Sequence, residues 1–145
     1  MNSKKFKKTI LLVDDTIEIR SLLHIRFKEL EYDVIEAENG KVALECLSHL
    51  KPDLVVSDFL MPVMNGLELC RILKTDENTR MIPILMLSSF PFTSETIAKM
   101  NQLGIDSFMM KPYSFDELLE CVEELLRRKD STPKKLDFCS KSQSV

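Results

Sequence analysis

The sequence predicts a doubly wound α/β domain, and three observations carry that expectation. Short apolar runs alternate five times with longer stretches of helical spacing. The runs lack the in-and-out alternation of half-solvated strands, which is the habit of a parallel sheet covered by helices on both faces. At 145 residues and 44% hydrophobic content, the chain suits one domain that buries a core without help from disulfides.

The five apolar runs are "TILLVDD", "YDVIEAE", "PDLVVSD", "IPILMLSS" and "IDSFMMK", each followed by a helical stretch. In the first helix, residues 17–31, Ile19, Leu22, Leu23, Phe27 and Leu30 share one face, while Arg20, Arg26, Lys28 and Glu29 take the other. The second and third helices begin near Gly40 and Gly66. The fourth offers Ile97, Met100 and Leu103 to a core, and Gly104 just past it suits a left-handed C-cap. The fifth, residues 114–127, aligns Phe115, Leu118, Leu119, Val122, Leu125 and Leu126 behind the capping box that runs from Ser114 to Glu117. These units span residues 7–129, behind a short extension of residues 1–6. From Asp130 the chain is polar and aperiodic and carries a Pro, so residues 130–145 read as a disordered tail or a linker.

Composition excludes several function classes. The 20 basic and 23 acidic residues leave a formal charge of −3, so no global positive field exists to hold nucleic acid. The opening "MNSKKFKKTILLVDD" is basic, but its apolar run is too short for a signal peptide, and no later stretch is long enough to span a membrane. Cys46, Cys70, Cys121 and Cys139 form no C-x-x-C pair and read as reduced thiols of a cytosolic protein. With all three glycines at punctuation, neither G-x-x-x-x-G-K-[ST] nor G-x-G-x-x-G is present, which removes P-loop hydrolases and Rossmann dehydrogenases.

Ligands of an open parallel sheet bind outside the carboxyl ends of its strands. The first run ends in Asp14 and Asp15, the third in Asp58, the fourth in Ser88 and Ser89, and the fifth in Lys111 before Pro112. Three carboxylates brought together repel by about 4 kcal/mol per pair at contact distance near a protein surface, so a cation belongs among them. Hard oxygen ligands with open water positions suit Mg²⁺, or Mn²⁺ in its place, and Lys111 adds a point charge suited to a phosphoryl group. An Asp in such a setting can act as a nucleophile toward phosphorus. Each residue also has a plainer use. Asp14 and Asp15 can cap the first helix with Thr16, Asp58 can close a turn, Ser88 and Ser89 can start a loop, and Lys111 can be a solvated surface lysine. Their joint occurrence at strand ends, in chain order, favours the chemical reading.

The ordered set "LLVDD", "SDFLMPVMNG", "ILMLSS" and "FMMKPYS" resembles the receiver domain of bacterial two-component response regulators over roughly residues 7 to 129. The resemblance implies a flavodoxin-like, five-stranded parallel sheet of order 2-1-3-4-5 with five helices. It implies that Asp58 accepts a phosphoryl group from a histidine kinase or histidine phosphotransfer protein, in the cytoplasm, and that the domain catalyses only its own phosphorylation and dephosphorylation. By the same analogy Asp15, Asp58 and the backbone carbonyl of Leu60 bind Mg²⁺, and Asp14 acts mostly through water. Ser88 and Lys111 would hold phosphoryl oxygens, the Lys111–Pro112 bond would be cis, and Phe108 would be the switch aromatic that turns inward when the hydroxyl is drawn to the phosphoryl group. The plain alternative for Phe108 is a core strand residue.

The resemblance further implies that Phe59, Leu60, Ser89 and Phe90 flank the phosphoryl position. Leu60 and Phe90 are apolar, which suggests shielding of the acyl phosphate from water; contact with a partner is their other reading. The loop "SSFPFTSE" presents Phe90 and Phe92 beside a thinly apolar fourth helix, which suggests that the fourth helix, fifth strand and fifth helix form a face for a homodimer or a downstream protein. A phosphatase of the haloacid dehalogenase kind is the alternative function, but it needs an Asp two residues after the nucleophile, where Leu60 stands. A flavodoxin-like flavin carrier needs a hydroxyl- and glycine-rich loop where this chain has "DDTIEIR". The tail suits both a stand-alone receiver and the amino-terminal piece of a longer regulator.

Overall fold

A computed structural model describes residues 7–128 and 137–138. In chain order the elements are β1 (Thr9–Val13), α1 (Ile17–Glu29), β2 (Asp33–Ala37), α2 (Gly40–Leu47), β3 (Leu54–Asp58), α3 (Gly66–Thr75), β4 (Ile84–Ser88), α4 (Ser94–Leu103), β5 (Ser107–Met110), α5 (Phe115–Arg128) and β6 (Asp137–Phe138). The strands pair in parallel in the order β2-β1-β3-β4-β5-β6, so the expected five-stranded order 2-1-3-4-5 holds. The two-residue β6 adds a ladder at the outer edge of β5, with Ser107 opposite Asp137 and Phe108 opposite Phe138. Residues 130–145 were expected to be a disordered tail or linker, and two of them are instead strand. A two-residue pairing set by the neighbouring edge leaves no periodic trace in sequence. The rest of that segment lies outside the described residues.

Both faces of the sheet are apolar because successive strand residues feed two separate cores. Leu11, Val13, Val55, Ile84 and Met86 pack with Ala43, Leu69, Leu73 and Met100 from α2, α3 and α4. Ile10, Leu12, Leu54, Val56, Leu85 and Leu87 face the other way, onto Leu23 and Phe27 of α1 and Leu118, Val122 and Leu125 of α5. Each such side chain contributes about 1.5–3 kcal/mol on full burial, which makes the double cover the main support of the fold.

Helix ends follow their sequence signals. Ser114 and Glu117 complete the capping box of α5, with Glu117 N donating to Ser114 Oγ at 3.1 Å and Ser114 N to Glu117 Oε1 at 2.8 Å. Gly104 caps α4 at φ +83°.

The face expected for α1 is corrected. Leu23 and Phe27 are buried, but Leu22 and Leu30 stay exposed and Ile19 is at the surface, with Ile17 and Ile25 also exposed. Arg20, expected on the polar face, turns inward and is 11% exposed. Apolar residues occur on nearly every side of this helix, so spacing alone does not select the buried stripe. The expectation of four reduced thiols is also corrected. Cys46 and Cys70 are free, whereas Cys121 is disulfide-bonded, and Cys139 lies outside the described residues. Whether two cysteines pair depends on the approach of their Cβ atoms, which sequence spacing does not contain. No helix among the described residues is long and apolar enough to cross a membrane.

Candidate functional site

The carboxyl edge of the sheet gathers the residues that the sequence singles out. Val13 ends β1 and hands the chain to Asp14 and Asp15; Asp58 and Ser88 are the last residues of β3 and β4; Lys111 follows Met110 at the end of β5. Backbone bonds tie these ends laterally: Asp14 N donates to Ala37 O at 3.1 Å, Phe59 N to Leu87 O at 2.7 Å and Lys111 N to Ser88 O at 2.7 Å. The edge is therefore fixed by the sheet rather than by free loops.

Asp14, Asp15 and Asp58 each place a carboxylate oxygen within 4.8 Å of the others. Asp14 is buried, Asp58 is half-buried and Asp15 is exposed. Lys111 Nζ lies 3.0 Å from Asp58 Oδ1 and 3.8 Å from Asp14 Oδ2, so one ammonium serves two of the three carboxylates. Burial pushes the Asp58 carboxyl above its ordinary value; Lys111 pulls it down, and Asp14 and Asp15 push it up again. The capping alternative is realised in part. Thr16 N donates to Asp14 Oδ1 at 2.8 Å, while the side chain of Thr16, the N-cap residue of α1, makes no capping bond.

Three converging carboxylates against one lysine leave a deficit of positive charge, and the donors are all hard oxygens. The set fits a divalent cation of the magnesium kind.

Gly66 lies close behind the acceptor position. A Cβ there would stand 2.6 Å from Asp58 O and 2.7 Å from Met86 Sδ, and Gly66 N donates to Phe59 O at 2.8 Å. Ser88 reaches the edge but is engaged within its own loop, donating to Phe90 O at 2.9 Å and accepting from Phe90 N at 3.0 Å. Ser89, Phe90 and Leu60 are exposed, the last two at 60% and 51%. Lys111–Pro112 is cis, as expected.

Phe108 is buried. The expectation of an exposed Phe92 is corrected: this ring is half-buried, 4.6 Å from the Phe108 ring and 5.6 Å from the Phe59 ring. Across Pro91, Phe90 faces water while Phe92 packs on the core, a split that their shared loop does not announce.

Three site neighbours escape the sequence reading. Arg20 Nη1 donates to Asp14 O at 2.6 Å, and its Nε donates to Glu36 Oε1 at 2.8 Å. Tyr113 sits close enough for burial, with Asp14 and Asp58 adding to it, to push its hydroxyl up to about 12. The one available signal was position: Tyr113 stands two residues past Lys111, and Arg20 lies in the first turns of the helix that follows the acidic pair. A groove of about 340 Å³ adjoins the same corner, lined by Leu22, Leu23, Arg26, Lys111, Tyr113 and Phe115 among others.

Comparison with known proteins agrees with this geometry. A family model described as the response regulator receiver domain matches residues 10–123. The phosphate regulon transcriptional regulatory protein PhoB of Pseudomonas aeruginosa is 38% identical over 121 residues, which is 83% of this chain and 52% of that protein. The DNA-binding response regulator MtrA of Mycobacterium tuberculosis is 34% identical over 127 residues, covering 88% and 54%. The chain thus spans about half the length of the curated relatives it matches. Among solved structures, the signal receiver domain of a signal transduction histidine kinase from Syntrophus aciditrophicus superposes with a TM-score of 0.77 at 33% identity, covering 86% of this chain and 94% of that one. The chemotaxis response regulator CheY4 of Vibrio cholerae gives 0.77 at 28% identity, covering 83% and 99%.

Proposed function

The chain belongs to the response regulator receiver domain family, and from that premise we propose that residues 7–129 form a phosphoacceptor unit in which Asp58 takes a phosphoryl group from a phosphohistidine. The observation that carries this reading is the bridge from Lys111 Nζ to Asp58 and Asp14 inside a cluster whose carboxylate oxygens lie within 4.8 Å of one another. An oxygen of Asp58 attacks phosphorus as the N–P bond breaks. The electron pair stays on the imidazole nitrogen, and with the ring's second nitrogen protonated the departing histidine is neutral. Lys111 stays beside the new acyl phosphate and balances the charge that its oxygens carry. Asp15, Asp58 and the Leu60 carbonyl, with Asp14 acting through water, would hold Mg²⁺ or Mn²⁺. Such an ion supplies positive charge against the phosphoryl oxygens.

Ser88 reaches a phosphoryl oxygen only after leaving its bonds to Phe90, and that exchange is the local event through which the loop after β4 responds. Phe108 is already inward in this conformation, held against Phe92 at 4.6 Å. In this chain its inward position therefore does not depend on the hydroxyl having moved. Ser88 and Phe108 remain the switch pair, coupled through the loop after β4, whose Phe92 packs on the Phe108 ring. The face of α4, β5 and α5, now bordered by β6, is the surface for a homodimer or a downstream protein. The donor is a histidine kinase or histidine phosphotransfer protein of the cytoplasm. The exposed Ile17, Leu22 and Ile25 of α1, and the groove beside Lys111, offer it apolar surface next to the acceptor.

Incubation with acetyl phosphate and Mg²⁺ followed by intact mass measurement tests the reading. The expected result is one phosphoryl increment that needs the metal and is abolished by Asp58→Asn. An increment that persists in the variant would place the chemistry elsewhere.

A further inference from the structure

Building on the magnesium-dependent reading of this site, we infer that Arg20 is a positioning residue that holds the Asp14–Asp15 loop in its metal-binding shape, and that Glu36 clamps it there. Arg20 uses two parts of its guanidinium fork on two elements: Nη1 on the carbonyl of Asp14 at 2.6 Å and Nε on Glu36 at 2.8 Å. Glu36 stands on β2, where it pairs in register with Leu12 of β1, two residues before Asp14. Its other oxygen shares a hydrogen bond with His24 Nδ1 at 2.6 Å, one helical turn beyond Arg20 on α1. A carboxylate held by two α1 side chains thereby fixes a guanidinium that in turn fixes a backbone carbonyl.

The choice of partner separates positioning from charge balance. Asp14, whose carbonyl Arg20 holds, carries a carboxylate of its own, with Lys111 3.8 Å away and shared with Asp58. A cation recruited for neutralisation would pair with that carboxylate. Arg20 instead has Glu36 as its ion-pair partner among the described residues and directs an Nη1 donor at an uncharged carbonyl. Because Glu36 cancels the guanidinium charge, the clamp adds little repulsion against an incoming divalent ion. Asp14 is then held at three points, through its amide to Ala37 O at 3.1 Å, its carbonyl to Arg20, and its Oδ1 to Thr16 N at 2.8 Å. The neighbouring Asp15 inherits a fixed backbone from which to ligate.

Calorimetric titration of the full chain with Mg²⁺ tests this, comparing wild type, Arg20→Met and Glu36→Gln. Loss of an outer support of a metal site costs about tenfold or more in affinity, so Arg20→Met is expected to bind Mg²⁺ about tenfold more weakly. Phosphoryl incorporation by this variant should recover as Mg²⁺ is raised. If Arg20 acted only as a nearby cation, the same variant would bind the ion more tightly. Unchanged or tighter binding therefore overturns the positioning role while leaving the magnesium reading intact. Absence of Mg²⁺ binding in wild type overturns both. Should Arg20→Met fail to fold, Arg20→Lys, which keeps the charge but lacks the planar fork that spans Asp14 O and Glu36, is expected to weaken binding in the same direction. A folded Arg20→Lys or Glu36→Gln with wild-type affinity would count equally against the proposal.

Discussion

Burial lifts the Asp58 carboxyl above the ordinary carboxylate range, while Lys111 at 3.0 Å draws it part of the way back. The folded chain then holds a proton on Asp58 at a pH where the unfolded chain has released it. Between the two values stability falls as pH rises, and above the raised value the cost of an ionised, half-buried carboxylate is fully present. Asp58→Asn removes that cost. Without added metal the variant should be more stable than wild type at pH 7, and its advantage should shrink as pH is lowered toward the ordinary carboxylate range. Urea unfolding at the two pH values checks this, and an advantage that does not change with pH would contradict it. A second expectation at this scale concerns Leu60 and Phe90, exposed apolar side chains proposed to flank the phosphoryl group. Replacing them as Leu60→Asn and Phe90→Glu should shorten the life of the phosphorylated state severalfold in a decay assay followed by intact mass; an unchanged half-life would leave partner contact as their role. Asp14, Asp15, Asp58, Ser88 and Lys111 were legible because each sits at the end of an apolar run, and run ends in a parallel sheet share one edge. Arg20 and Glu36 were not, because their bond joins residues 16 apart through the crossing of α1 over β2.

The contact between α3 and the end of β3 shows how one element disciplines another. At Gly66 an added methyl would meet the backbone oxygen of Asp58 at 2.6 Å, an atom that β3 cannot yield cheaply. Gly66→Ala is therefore expected to cost about 1–3 kcal/mol by overpacking. It should also slow phosphoryl incorporation, because the strand end that moves is the one that bears Asp58. Urea unfolding and the acetyl phosphate reaction measure the two effects, and full activity together with wild-type stability would refute the tight fit. Element boundaries differ in how well sequence foretells them. The capping box of α5 and the left-handed Gly104 end of α4 rest on neighbouring residues and were legible. The buried stripe of α1 depends on what lies across from it, and in a helix apolar on most sides that information comes from the sheet.

At the scale of the whole molecule, the class of fold follows from strands that are apolar on both faces, and the two separate cores are the reason that pattern exists. The strand order came with the family resemblance, since apolar runs alone do not say which strands are neighbours. β6 was not legible at all, being two residues that take their pairing from the exposed edge of β5. All six strands run the same way, so the start of β1 and the start of β6 lie at one rim of the sheet while Asp58 lies at the other. Helices that connect parallel strands run back toward the first rim, which brings the end of α5 there as well. A fluorescent reporter joined just ahead of β1 is thus carried on the side of the sheet remote from the acceptor. It leaves the approach of a phosphodonor open, and any change in its signal must come through movement of the helices and strands between.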